Sequence, residues 1–168
     1  MSETTGLLTE EVRSWIGREV VYEAPEELGR SAIRYFAMAL GDNNSLYFDD
    51  EYARDKGYPS VIAPPTLICE TNQLVPGSRD GRAYVGHAWE LPIQGARPLR
   101  GGNSYTFMRP VLPADRITSR WRLTDITERV SSRGEPMLIV TSEVTYTDAQ
   151  GEVVATNVET LIYRTEAR

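Results

Sequence analysis

The residues most able to do chemistry sit in one short loop, Gly41-Asp42-Asn43-Asn44-Ser45-Leu46-Tyr47, followed further on by Ala63-Pro64-Pro65-Thr66. Asp42 offers a carboxylate, Asn44 an amide and Tyr47 a phenol. Polar groups of these kinds gathered in one loop make it the first place to look for chemistry. Turn formers crowded between two apolar blocks mark a loop kept in one defined shape, and functional groups gather on such loops. Asp and Asn also cap loops without any catalytic part, and an aromatic at position 47 equally suits the cover of a core.

Other candidates are more scattered. His87 is the sole histidine and Cys69 the sole cysteine. A catalytic triad or Cys-His pair would have to use His87, and a lone loop histidine is more often a surface or packing residue. Glu70 falls in an apolar segment, where a carboxylate is costly unless paired. Arg97, Arg100 and Arg109 can give paired hydrogen bonds to phosphate, or can serve as ordinary solvated ion pairs. One cysteine excludes an internal disulfide, and one histidine argues against a His/Cys zinc site within the chain, so no metal is expected.

Composition narrows the classes. With 168 residues the chain suits a single domain, 1–168, with a real core. Apolar and charged fractions of 40% and 25% are those of a soluble globular protein. A net charge of -6 argues against a nucleic-acid backbone as partner, though a local basic patch can still bind a phosphorylated ligand. No uncharged apolar run is long enough to span a bilayer, and the acidic start lacks a signal-peptide core. A cytoplasmic location is the expectation.

The elements that must position these groups read as helices first and strands last. Thr9 caps a short helix ending at Gly17, residues 19–22 form a strand, and Pro25-Glu26-Glu27 opens a helix whose stripe is Ile33, Phe36, Ala37 and Leu40, closed by Gly41. Asp49 to Gly57 holds one or two helical turns. Residues 66–75 read as a mostly buried helix, ended by Pro76-Gly77. Tyr84-Val85 and Trp89 to Leu91 read as short strands among loops, and Ser104 to Met108 as a further strand. Ile117, Ser119, Trp121 and Leu123 alternate with polar residues, as do Leu138, Val140, Val144 and Tyr146, and residues 153–164 follow the turn at Gly151. Long strands joined by short turns pair antiparallel. The fold class is therefore α+β, with a sheet wrapped around the helix 66–75, which is the outline of a single hotdog fold.

Gly41-Asp42-Asn43-Asn44-Ser45-Leu46-Tyr47 resembles the hydratase motif of MaoC-like (R)-specific enoyl-CoA hydratases, Gly-Asp-x-Asn-Pro-aliphatic-His. The resemblance continues through Gly57-Tyr58, Ala63-Pro64-Pro65-Thr66, Arg109-Pro110-Val111, Pro113-Ala114-Asp115 and Gly151, nearly the whole chain. It is nearest to the N-terminal type of MaoC dehydratase domain, which includes the A subunit of the mycobacterial (3R)-hydroxyacyl dehydratase. It implies an acyl-CoA or acyl-carrier-protein thioester as substrate, no separate cofactor, and a dimer of hotdogs with the site near their interface. It also implies that Asp42 and Asn44 stand where catalytic members keep their aspartate and asparagine. Tyr47 stands where they keep histidine, and Pro65, which has no N–H, stands where they commonly keep the oxyanion-binding glycine, leaving the Thr66 N–H as substitute. Pro64, Pro65 and the three arginines are then substrate-binding candidates. A phenol cannot share a proton at neutral pH as an imidazole does. The expectation is a subunit that shapes the thioester site while a partner hotdog supplies the Asp/His pair. The alternatives are a hotdog thioesterase using Glu70 and a non-catalytic acyl-binding or scaffolding hotdog.

Overall fold

A computed structural model describes residues 6–68 and 89–165. Its frame is a five-stranded antiparallel sheet in the order β1-β3-β4-β5-β2, where β1 is Glu19–Glu23, β2 Ala96–Phe107, β3 Thr118–Val130, β4 Pro136–Thr147 and β5 Val153–Thr165. Its helices are α1 (Glu10–Arg13), α2 (Arg30–Leu40) and α3 (Asp50–Asp55), with a 3₁₀ turn at Ser45–Tyr47.

The period-2 pattern fixes the sheet's inner face. Ile117, Ser119, Trp121 and Leu123 are all buried, as are Leu138, Val140, Ser142, Val144 and Tyr146. A register shift between Leu123 and Asp125 moves the alternation so that Ile126 faces inward next. Such a bulge adds a residue on one strand and bends it. Ile33 and Ala37 of α2, with Ile62, Ala63, Leu67 and Ile68, are buried in the same core.

Several sequence expectations need correction. The helix signalled at Pro25 begins only at Arg30. Residues 24–29 are instead drawn out by backbone bonds to the segment before β3: Ala24 to Ile117, Leu28 to Asp115 and Gly29 to Pro113. Those tertiary bonds outweigh a local helix-start signal. Gly29 (φ 76°) makes the turn into α2. Leu40, placed on the apolar stripe, is 61% exposed. The strand expected from Ser104 starts much earlier, at Ala96, because β5 offers it a full-length partner. Trp89 to Leu91 is no strand: Leu91 and Ile93 bond two residues back, to Trp89 and Leu91, as consecutive tight turns. Trp89 is fixed to the sheet by its indole N–H, 2.8 Å from Ser142 Oγ, while its carbonyl accepts from the Tyr163 hydroxyl at 2.6 Å. The helix proposed for 66–75 is described only at its start, where residues 65–68 take a 3₁₀ turn. The rest of it, with Cys69, Glu70, Tyr84-Val85 and His87, lies outside the described residues.

Candidate functional site

The loop that carries Asp42, Asn44 and Tyr47 is built by satisfying its own backbone. Gly41 closes α2 in the left-handed conformation (φ 69°), which glycine adopts without a Cβ penalty. The Asp42 N–H then turns back to Ala37 O and the Gly41 N–H to Met38 O, the pattern of a helix end finished by glycine. Asp42 Oδ1 accepts the Asn44 N–H and Asn44 Oδ1 accepts the Leu46 N–H, each at 3.1 Å. Asn44 thereby caps the 3₁₀ turn Ser45–Tyr47, which drives Tyr47 inward to 9% exposure.

Three segments distant in sequence are stitched together here. The Ile62 N–H bonds to Leu46 O, the Ala63 N–H to Val111 O, and the Val61 N–H to Asp50 Oδ1. The motif loop, the Ala63-Pro64-Pro65-Thr66 turn and the Arg109-to-Asp115 loop therefore meet at one end of the core. Pro64 is buried, whereas Pro65 and Thr66 are exposed. The Leu67 N–H closes the turn onto Pro64 O. The first N–H groups of such a turn have no partner within it, and since Pro65 has none, that of Thr66 is the first one it offers.

Tyr47 is the electrostatic centre of the loop. Burial pushes its phenol above its ordinary pKa, the charge of Asp42 pushes the same way, and a hydrogen bond with the Asn44 side chain opposes both. The phenol therefore stays protonated at neutral pH, in a loop whose shape Asp42 and Asn44 fix through backbone N–H groups. Tyr47, Phe48 and Val61 form one wall of a cleft of about 290 Å³, and Arg30, Ser31, Arg34 and Tyr35 of α2 form the other. Sequence reading missed this second wall. Its signal is a pair of arginines one helical turn apart, directly before the motif.

The three arginines named as phosphate ligands are placed differently. Arg109 is taken up internally: its guanidinium donates to Asp115 at 2.7 and 3.1 Å, to Asp148 at 2.7 Å and to the Pro110 carbonyl. Those carboxylates hold it firmly protonated. It locks the loop before β3 to the β4–β5 turn, where Asp148 also accepts the Gln150 and Glu152 N–H groups. A side chain so committed is a structural clamp, which corrects its assignment to phosphate. Arg100 lies 3.4 Å from the buried Glu159, and Arg97 is exposed on β2 opposite Arg164. Neither lines the cleft beside Tyr47. Among the described residues no group of three or more His, Cys, Asp and Glu side chains is placed to hold a metal ion, and no helix is long and apolar enough to cross a membrane.

A family model described as FAS1-like, dehydratase domain region, matches residues 14–157, a span that holds the motif loop, the proline turn and the arginine clamp. The chain belongs to this family. A UPF0336 protein of Thermobifida fusca (strain YX) is 35% identical over 92% of this chain and 95% of its own length. In three dimensions the FAS1-like dehydratase region is similar to a chain of the ChsH1-ChsH2 complex from Mycobacterium tuberculosis, with TM-score 0.74 and 19% identity over 95% of this chain and 92% of that one. It is also similar to the MaoC-like dehydratase of Rhodospirillum rubrum, with TM-score 0.66 and 21% identity over 91% and 94%. The MaoC-like placement and the α+β hotdog class read from the sequence agree with these likenesses.

Proposed function

We propose that this chain is a subunit of an enoyl-thioester hydratase or (3R)-hydroxyacyl-thioester dehydratase, and that it shapes the thioester site while a partner hotdog supplies the Asp/His pair. The observation that carries the reading is the capped loop that holds Asp42, Asn44 and Tyr47 within six residues and is bonded, Ile62 N–H to Leu46 O, to the segment leading into the turn that offers the Thr66 N–H. Membership of a dehydratase-region family supports the reaction class. Hydration adds a water oxygen to the β-carbon and a proton to the α-carbon, and negative charge builds on the thioester oxygen between the two steps. A backbone N–H aimed at that oxygen stabilises the charge, and an acid/base pair must take a proton from the water.

The chain's own loop is suited to half of that task. Asp42 keeps a carboxylate beside the reacting region, and Thr66 offers an N–H. The neutral phenol of Tyr47 can donate a hydrogen bond but cannot take up a proton, so it orients a polar group rather than activating water. A partner with an intact pair supplies the base. Strand β2 suits docking such a partner, since it pairs only with β5 among the described residues and carries exposed Leu99 and Phe107, with exposed Met108 just beyond its end. One structural relative is itself a chain of a two-protein complex, which favours a heteromer. An acyl-CoA or acyl-carrier-protein thioester would bring its own carrier group, so no cofactor is invoked.

The test is hydration of crotonyl-CoA and of bulkier enoyl-CoA esters by the purified chain, alone and with any subunit that co-purifies from its native host. Little activity alone and rapid turnover with the co-purified subunit is the expected result. Fast hydration by the chain alone, lost on Asp42→Asn, overturns the division of labour, and no hydration under either condition overturns the reaction class.

A further inference from the structure

The cleft beside Tyr47 carries an unusual charge arrangement. Arg30 and Arg34 lie four residues apart on α2 and both line it. Like charges at that spacing repel each other and disfavour the helix. Arg30 is compensated: Asp50 meets its guanidinium at 2.9 and 3.0 Å, and Asp50 is itself fixed by the Val61 N–H. Arg34 is exposed and bonds no acid among the described residues, so its guanidinium faces the cleft side of α2 with its donors unspent. Arg100 and Arg109, by contrast, are turned toward internal carboxylates. An anionic thioester approaching a chain of net charge -6 needs local positive charge at its site.

We propose that this cleft is an oxyanion-binding site in which Arg34, with Arg30 and the Ser31 hydroxyl beside it, holds an oxyanion carried by the thioester substrate. The proposal rests on the thioester reading above and deepens it. The planar guanidinium fork matches the oxygens of a carboxylate or phosphate. A cleft of about 290 Å³ holds one small anionic group and not a whole nucleotide with its arm. Two sources present that chemistry: a carboxylate at the far end of the acyl group, or a phosphate of the carrier. Because Tyr47 shares the cleft, either one would set which thioesters are accepted.

Saturated thioesters cannot be hydrated, so their binding can be measured apart from catalysis. Calorimetric titration of the full chain would use glutaryl-CoA, pentanoyl-CoA and pentanoyl-pantetheine, against wild type, Arg34→Ala and Arg122→Ala. Arg122 is an exposed residue of β3 and controls for loss of one charge. The expected result is that Arg34→Ala weakens binding of the favoured anion by about tenfold or more, equivalent to roughly 1.4 kcal/mol. A wild-type preference for glutaryl-CoA over pentanoyl-CoA that vanishes in Arg34→Ala assigns the acyl carboxylate. A preference for pentanoyl-CoA over pentanoyl-pantetheine that vanishes assigns the carrier phosphate. If all affinities of Arg34→Ala stay within about twofold of wild type, or if Arg122→Ala loses as much, the inference fails while the thioester reading stands. Failure of wild type to bind any of the three overturns both.

Discussion

Replacing Tyr47 by histidine puts back the one group whose absence leads us to divide the reaction between two chains. The phenol has an ordinary pKa of 10.0 and is raised further by burial and by Asp42. At pH 7 less than about one molecule in a thousand is then ionised. An imidazole in the same place begins near pKa ~6.5, with burial lowering it and Asp42 raising it, so both protonation states are populated at neutral pH. General acid–base catalysis supplies roughly 10² to 10⁴ in rate, or about 2.7 to 5.5 kcal/mol of barrier. The side chain is only 9% exposed, and exchanging it for a smaller, more polar ring costs roughly 1 to 3 kcal/mol of stability. For a domain of this size that is a fall of about 2 to 12 °C in Tm. The assay follows loss of enoyl-thioester absorbance on crotonyl-CoA across pH, with Tyr47→Phe as the control for a phenol that does no proton transfer. Activity of the isolated chain should rise at least a hundredfold on Tyr47→His, acquire a limb near neutral pH, and stay flat on Tyr47→Phe. A folded Tyr47→His chain no faster than wild type at any pH would refute the idea that position 47 is the vacant proton-transfer station.

Two further outcomes concern the scaffold. Arg109→Met leaves Asp115 and Asp148 side by side without their cation, so thermal stability at neutral pH should drop. Arg109 holds the Asp148 carboxyl below its ordinary 3.8. That contribution is complete above this value and lost as pH falls below it, so the wild-type advantage over Arg109→Met, read by melting temperature across pH, should shrink in acid. Burial raises the Glu159 carboxyl above its ordinary 4.5, with Arg100 opposing, and both of its oxygens lack a hydrogen-bond donor among the described residues. The folded state therefore favours the protonated form, and stability falls as pH rises from the ordinary value through the folded one. Glu159→Gln should relieve that loss, melting higher than wild type at neutral pH and with little difference in mild acid. An equal destabilisation at both pH values would mean that the Arg100 pairing outweighs the burial.

The parts of the chain legible in advance were those governed by local rules. Period-2 alternation placed Trp121, Leu123, Val140, Val144 and Tyr146 on the buried face, and the glycine after Leu40 correctly ended α2. Turn chemistry concentrates polar types in residues 41–47, and Asp42 and Asn44 cap backbone N–H groups there as such residues do. What local rules could not supply was anything decided by a distant partner. Residues 24–29 carry a helix-start signal but bond to residues 113–117. Arg109 carries the chemistry of a phosphate ligand, yet Asp115 in its own loop and Asp148 in the distant β4–β5 turn claim it first. Arg34 went unremarked because an exposed helical arginine looks ordinary until Tyr47 folds against the same cleft.

The roles of Asp42 and Asn44 in the loop explain how it can keep its shape with the imidazole absent. Each spends a side-chain oxygen on a backbone N–H, Asp42 on Asn44 and Asn44 on Leu46, and neither bond involves the side chain at position 47. The loop is therefore held by its caps and by the Ile62-to-Leu46 bond, independently of the group that would exchange protons. Tyr47 can fill the station as a packing residue, and its large ring buries surface that a smaller imidazole would leave thinner. Structure and proton transfer are separable here at the level of single atoms. That separability makes it chemically reasonable for one chain of a pair to keep the site's geometry while the other keeps its base.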